Sequence, residues 1–313
     1  MSKINELKNN INKVIVGKEN VIDLLLTAVI AKGHILLEDV PGTGKTMLAK
    51  TFAKSVDGTF SRIQFTPDLL PSDVTGLNYY NQKAGEFVFR KGPIFGNVVL
   101  ADEINRATPR TQSSLLECME ERQVTIDGET HELAAPFVVL ATQNPIETAG
   151  TFQLPEAQLD RFMLKVSMGY PDKRQELDIV NRFLMDSPLD SINTVCSVED
   201  VKKMQEEAKN VYIHSSLKEY IVNLVEATRQ QNNVSIGVSP RGTLVMINAV
   251  RAYAYLNQRD YVVPEDIKAL AVPVFAHRLV LSSGLSTTKA TENVINKILS
   301  EVPVPTEDWS SRN

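Results

Sequence analysis

Ile35-Leu36-Leu37-Glu38-Asp39-Val40-Pro41-Gly42-Thr43-Gly44-Lys45-Thr46-Met47 is the stretch on which the fold turns. The apolar triplet reads as a short buried strand, Pro41 to Gly44 as a tight turn, and Met47 to Ser55 as a helix. Strand, glycine-rich turn and helix are the setting in which backbone amides converge on phosphate. Glycine lets the amides turn inward, and the helix N-terminus adds positive potential. On this reading Pro41, Gly42, Thr43, Gly44, Lys45, Thr46 and Met47 surround a nucleotide. Lys45 reaches the β and γ phosphates, and the Thr46 hydroxyl binds Mg2+. One position departs from the usual pattern: Asp39 stands six residues before Lys45, where such loops carry glycine.

Downstream, Val98-Val99-Leu100-Ala101 is a second apolar strand that delivers Asp102 and Glu103 at its C-terminal end. Open parallel sheets build their sites at that end. Asp102 supports Mg2+ through its water shell, and Glu103 polarises the attacking water. A third strand, Phe137 to Ala141, ends in Thr142-Gln143-Asn144-Pro145. If it runs parallel beside the acidic strand, Asn144 reaches the same edge and offers phosphate or water an uncharged amide. Phe60 to Phe65 and Met163 to Val166 complete five short strands, spaced by helices as in a parallel sheet covered on both faces.

Two segments interrupt that plan. Residues 76 to 90 alternate around Ala84-Gly85, and residues 122 to 133 alternate around Asp127-Gly128, so each reads as a hairpin. Residues 18 to 31 carry apolar groups at helical spacing, with Gly33 expected to close the segment. Beyond Pro171 the pattern is helical: Asp172 to Met185, Val198 to Glu207, Ser216 to Gln230, Arg241 to Leu256 and Pro264 to Val280. Domain boundaries are expected at 1–170 for the α/β part, 171–300 for an all-helical lid and 301–313 for a flexible tail.

The chain has 313 residues, with 33 Lys plus Arg against 38 Asp plus Glu, a formal charge of −5. That balance offers no global attraction to nucleic acid or anionic membrane. Two cysteines and four histidines exclude a disulfide framework and a histidine-rich metal site. The polar N-terminus and the lack of a long apolar run lead us to expect a cytoplasmic protein without membrane insertion.

Two arginines draw notice. Arg161 follows Leu154-Pro155-Glu156-Ala157-Gln158-Leu159-Asp160; it either pairs locally with Glu156 or Asp160 or points outward to a neighbouring subunit's nucleotide. Ser239-Pro240-Arg241 places Ser239 as an N-cap, Pro240 in the first turn and Arg241 where a cation opposes the helix dipole. A phosphate beside Arg241 would reverse that penalty.

Pro41 to Thr46, Asp102-Glu103-Ile104-Asn105-Arg106-Ala107, Ala141 to Pro145 and Leu154 to Phe162 together resemble the MoxR family of AAA+ ATPases, and the resemblance covers nearly the whole chain. It implies a P-loop core of a five-stranded parallel sheet with a helix-2 insert at 76–90 and a pre-sensor 1 hairpin at 122–133. Gly42, Gly44, Lys45 and Thr46 match the Walker A loop, Asp102 and Glu103 the Walker B pair, and Asn144 sensor 1. Arg161 matches the arginine finger and Arg241 sensor 2, while Val16 and Gly17 resemble the segment lining the adenine pocket. The resemblance further implies ATP and Mg2+ as cofactors, a hexameric ring of identical subunits, and a partner bearing a von Willebrand factor A domain. A nucleotide-gated binding module without hydrolysis and a DNA-remodelling motor are the competing readings. Glu103 opposes the first; the net charge and the Val124-Thr125-Ile126 stripe oppose the second.

Overall fold

The computed structural model describes residues 3–144, 150–184, 187–282 and 287–310. Helices α1 (Lys3–Asn12) and α2 (Glu19–Ile30) precede β1 (Ile35–Glu38), and α3 (Lys45–Ser55) leads on to β2 (Phe60–Gln64). The short α4 (Pro71–Thr75) opens a hairpin of β3 (Gly76–Asn81) and β4 (Glu86–Lys91). Next come β5 (Val98–Asp102), α5 (Pro109–Glu121) and a second hairpin, β6 (Gln123–Ile126) with β7 (Glu129–Glu132). The chain continues through β8 (Val138–Gln143), α6 (Glu156–Leu159) and β9 (Leu164–Val166). The rest is helical: α7 (Lys173–Phe183), α8 (Pro188–Ser191), α9 (Val198–Ala208), α10 (Ser215–Gln230), α11 (Pro240–Leu256), α12 (Pro264–Phe275) and α13 (Thr288–Glu301). Within it β10 (Val234–Ile236) and β11 (Val280–Leu281) pair as an antiparallel ribbon.

One five-stranded parallel sheet forms the core, in the order β2-β5-β8-β1-β9. Its central strands are continuous apolar runs because helices cover both faces; Val99, Leu100, Val139 and Leu140 are fully buried. Register brings the carboxyl ends level. Gln64 lies opposite Asp102, Ala101 opposite Ala141, and Glu38 opposite Gln143. The same ladder continues one residue further, with Phe65 N–H donating to Asp102 O and Asp39 N–H to Gln143 O. Side chains leaving the sheet after these residues therefore share one edge.

The chain resolves into two compact units. The first comprises residues up to Ile22, His34–Leu154 and Val166–Lys202; the second comprises Asp23–Gly33, Pro155–Lys165 and the chain from Lys203. In the first unit, the tip of the second hairpin has Asp127 and Gly128 both in the left-handed region (φ 51° and 86°), the backbone that Asp-Gly favours. The Phe89 ring stacks on His131 with centroids 4.2 Å apart, and Asn78 Nδ2 donates to Asp127 Oδ2 at 2.9 Å, so the two hairpins pack on each other. In the second unit, the left-handed residue ending α2 is Lys32 (φ 58°) rather than the expected Gly33. Gly33 is small for another reason: a Cβ there would sit 2.5 Å from Met163 Sδ. Two elements go beyond the sequence reading of that unit, the β10–β11 ribbon and α13. Trp309, in the stretch expected to be a tail, sets its ring edge against His214 at 6.0 Å.

Candidate functional site

The loop after β1 takes its shape from two glycines. Gly42 (φ 86°) and Gly44 (φ 92°) are left-handed, a conformation that costs a residue with a Cβ about 1–2 kcal/mol. Gly44 caps α3 and hands the chain directly to Lys45 and Thr46. The Lys45 ammonium folds back on its own loop, donating to Asp39 O at 2.8 Å and Val40 O at 3.2 Å. Burial pushes the Lys45 pKa down, and the negative charges of Asp39, Asp102 and Glu103 act against that shift. Thr43 Oγ1 donates to Val40 O at 3.3 Å. Asp39 stands where glycine is usual because it anchors the loop. Its Oδ1 accepts from Val40 N–H at 2.9 Å, and its Oδ2 from Gly169 N–H at 2.7 Å and the Ser167 hydroxyl at 3.4 Å.

At the end of β5 a closed ring of polar contacts joins three strands. Thr142 Oγ1 on β8 donates to Asp102 Oδ1 at 2.6 Å and accepts from Glu103 N–H at 2.8 Å. On β2, Arg62 donates to Asp102 Oδ2 from Nη2 at 2.6 Å and from Nε at 3.2 Å. Arg62 Nη2 also donates to Gln64 Oε1 at 2.8 Å, and Gln64 Nε2 donates to Glu103 Oε2 at 2.8 Å, closing the ring. Arg106 Nε lies 3.3 Å from the same Glu103 oxygen. Glu103 itself is left-handed (φ 56°, ψ 49°), a strained conformation for glutamate that the surrounding contacts sustain.

These groups line one cleft of about 430 Å³. Pro41, Gly42, Gly44, Lys45, Thr46 and Met47 form one side; Asp102, Glu103 and Asn144 come from the sheet edge, with Asp39, Arg62, Gln64 and Thr142 between them. Thr43 belongs to the loop but turns its hydroxyl to the backbone. Val16 is buried in the same unit beside Gly17 (φ 65°), whose carbonyl accepts from Gln175 Nε2 at 3.5 Å. Arg161 and Arg241 belong to the second unit. Arg241 lies in the first turn of α11, where the Ser239 hydroxyl caps Gly242 N–H at 3.2 Å, as the sequence predicts. Pro145 lies outside the described residues.

Among the described residues no group of three or more His, Cys, Asp or Glu is placed to hold a metal. Mg2+ does not require one, since it takes one or two carboxylates and fills its shell with phosphate and water oxygens. The hard oxygen donors Thr46 and Asp102 suit it, and the Arg62 guanidinium against Asp102 shows that this carboxylate accepts a cation in good geometry. Sequence reasoning missed Arg62, Gln64 and Thr142. The one local signal was the alternation of Arg62 and Gln64 along a strand whose other side chains are apolar or small.

A family model described as the ATPase family associated with various cellular activities (AAA) matches residues 34–164, and a model of the AAA lid domain matches residues 226–298. YeaC of Bacillus subtilis is 52% identical over 95% of this chain and 93% of its own. Chaperone MoxR1 of Mycobacterium tuberculosis is 43% identical over 94% of this chain and 80% of its own. A crystal structure from Cytophaga hutchinsonii superposes with a TM-score of 0.89 at 43% identity, covering 97% of this chain and 95% of that one. Among the described residues no helix is long and apolar enough to cross a membrane. Phosphate loop, level strand ends, helical lid and these similarities agree: the chain belongs to the MoxR branch of the AAA+ ATPases.

Proposed function

We propose that this protein hydrolyses ATP, with Mg2+, in a ring of identical subunits, to drive chaperone-like assembly, maturation or activation of partner protein complexes. The observation that carries this reading is the single cleft shared by Lys45, Thr46, Asp102, Glu103 and Asn144. A bare phosphate loop would serve binding alone; a second carboxylate beside it serves water activation. The amides around Gly42 and Gly44 receive the phosphates, and Lys45 exchanges its two carbonyl acceptors for phosphate oxygens. Thr46 and Asp102 would hold Mg2+, which neutralises phosphate charge when bound. Glu103 leaves Gln64 and Arg106 to face water, and Asn144 orients that water or the γ phosphate. Val16 and Gly17 border the base. Arg161 acts on the neighbouring subunit's nucleotide, and Arg241 on that of its own. The name of the mycobacterial relative supports the chaperone-like role. A hexameric ring and a von Willebrand factor A domain partner follow from the family resemblance.

Glu103→Gln tests the core of this reading. Phosphate release should fall by about 10²–10⁴-fold while ATP still binds, because only the general base is removed. Turnover near that of the unmodified protein would exclude Glu103 as the base. No phosphate release from the unmodified chain, with ATP bound, would leave a nucleotide-gated module instead.

A further inference from the structure

Arg278 is a buried arginine that the ATPase reading does not use. Its side chain is 2% exposed. The whole guanidinium fork is nevertheless satisfied. Nε donates to Asp160 Oδ1 at 2.7 Å, and Nη2 donates to Asp160 O at 3.2 Å and Phe162 O at 2.7 Å. Nη1 faces Val274 O, Met163 O at 3.4 Å and His277 Nε2 at 2.8 Å. Burial pushes the Arg278 pKa down to about 10, with Asp160 opposing the shift, so the group stays charged at neutral pH. Three of these acceptors are the backbone carbonyls at 160, 162 and 163, which bracket Arg161. A lysine, with three donors and no planar fork, could not replace the set.

Asp160 has a second role. Its Oδ2 accepts from the Ser239 hydroxyl at 3.2 Å, the same hydroxyl that caps Gly242 N–H beside Arg241 in the first turn of α11. Gly242 in that first turn leaves room for Arg278: a Cβ there would lie 3.1 Å from Arg278 Cδ. Arg278, Asp160 and Ser239 thus run without a break from the segment carrying Arg161 to the helix end carrying Arg241, all within the second unit.

We infer that Asp160, Ser239 and Arg278 are positioning residues that fix the backbone of Arg161 relative to the first turn of α11, so that Arg161, acting on the neighbour's nucleotide, and Arg241, acting on its own subunit's, are held in one rigid frame. The inference rests on the proposed role of Arg161 in hydrolysis. A misplacement of about 1 Å in such a group can cost 10²-fold in rate, so small changes in the clamp are expected to show in turnover.

Steady-state phosphate release by the full chain tests it, using Asp160→Asn, Arg278→Lys, Ser239→Ala and Arg161→Ala, with thermal melting recorded for each. Asp160→Asn and Arg278→Lys should lower kcat by about tenfold or more with KM for ATP within about twofold, and Ser239→Ala by about threefold. Adding Asp160→Asn to Arg161→Ala should lower kcat no further, because a residue acting through Arg161 has nothing left to position. If Arg278→Lys melts early, Asp160→Asn and Ser239→Ala carry the test, since both keep the guanidinium in place. An unchanged kcat in Asp160→Asn, or an equal loss in the Arg161→Ala background, overturns the clamp while the role of Arg161 stands. An unchanged kcat in Arg161→Ala overturns that role and the inference with it.

Discussion

Arg62 occupies the carboxylate that Mg2+ is expected to approach. Its guanidinium binds Asp102 Oδ2 through two nitrogens, yet its own side chain is 47% exposed. Exposed pairs of this kind contribute about 0–1 kcal/mol, so the ion needs little to displace it. Arg62→Ala should therefore lower the Mg2+ concentration for half-maximal phosphate release by up to about fivefold, the rate equivalent of that energy. An unchanged requirement would show that the pair does not compete with the ion, and a raised one that the arginine helps to hold the phosphates instead. Lys45, Thr46, Asp102 and Glu103 were legible in the sequence because each sits in a local pattern whose spacing implies its chemistry. Arg62 and Gln64 were not, because their partner is on β5, and only the strand order β2-β5 brings them together. Thr142 stands in the sequence only within the run that ends an apolar strand; its hydroxyl bridges Asp102 and Glu103 because β8 lies beside β5.

The first hairpin depends on two backbones meeting where no side chain fits. A Cβ on Gly92 would lie 2.3 Å from Val74 O and 2.5 Å from Gly76 N, and neither backbone atom can swing aside. Gly92→Ala should cost about 1–3 kcal/mol, read as a lower denaturant midpoint with unchanged slope, and should expose the β3–β4 segment to protease. Full stability in that variant would mean that the hairpin base tolerates a shift. Both hairpins and the five core strands were readable from period-2 alternation and short apolar runs. The ribbon of β10 and β11 was not, since three-residue and two-residue strands carry too little pattern. Our helix expectation stops at Val280, although α13 carries its own signals: Thr287 caps Ala290 N–H at 3.3 Å, and Val294, Ile295 and Ile298 are buried at helical spacing. Lys32 took the left-handed position beside Gly33 because the glycine was needed for the approach of Met163.

Each unit holds a buried histidine that folding keeps neutral. In the first, His34 Nδ1 accepts from Val139 N–H at 3.0 Å and Nε2 faces Met119 O at 3.0 Å, so the proton belongs on Nε2. Burial, with the charge of Arg122 adding to it, pushes its pKa down to about 3. In the second, burial and then Arg278 hold His277 well below the usual histidine range. Below pH 6.5 the unfolded chain takes up a proton at each site while the folded chain does not. Stability is therefore fully present above pH 6.5 and falls as the medium is acidified, by about 1.4 kcal/mol per pH unit for each histidine, until for His34 the loss ends near pH 3. Chemical denaturation between pH 7 and 5 should show that slope. His34→Gln, which can still donate and accept but cannot titrate, should remove its share from the first unit. An identical pH slope in His34→Gln would mean that the buried imidazole does not control acid sensitivity.

Asp39 ties the opening of the phosphate loop to the amide of Gly169 and the hydroxyl of Ser167, just past the last strand of the sheet. A glycine in its place would let the loop breathe independently of the chain that leaves the sheet. With aspartate there, two hydrogen bonds join the segment beyond β9 directly to the start of the loop, without passing through the sheet. Asp39 thus fastens the start of that loop to the chain just after the last core strand, a tether that glycine could not supply.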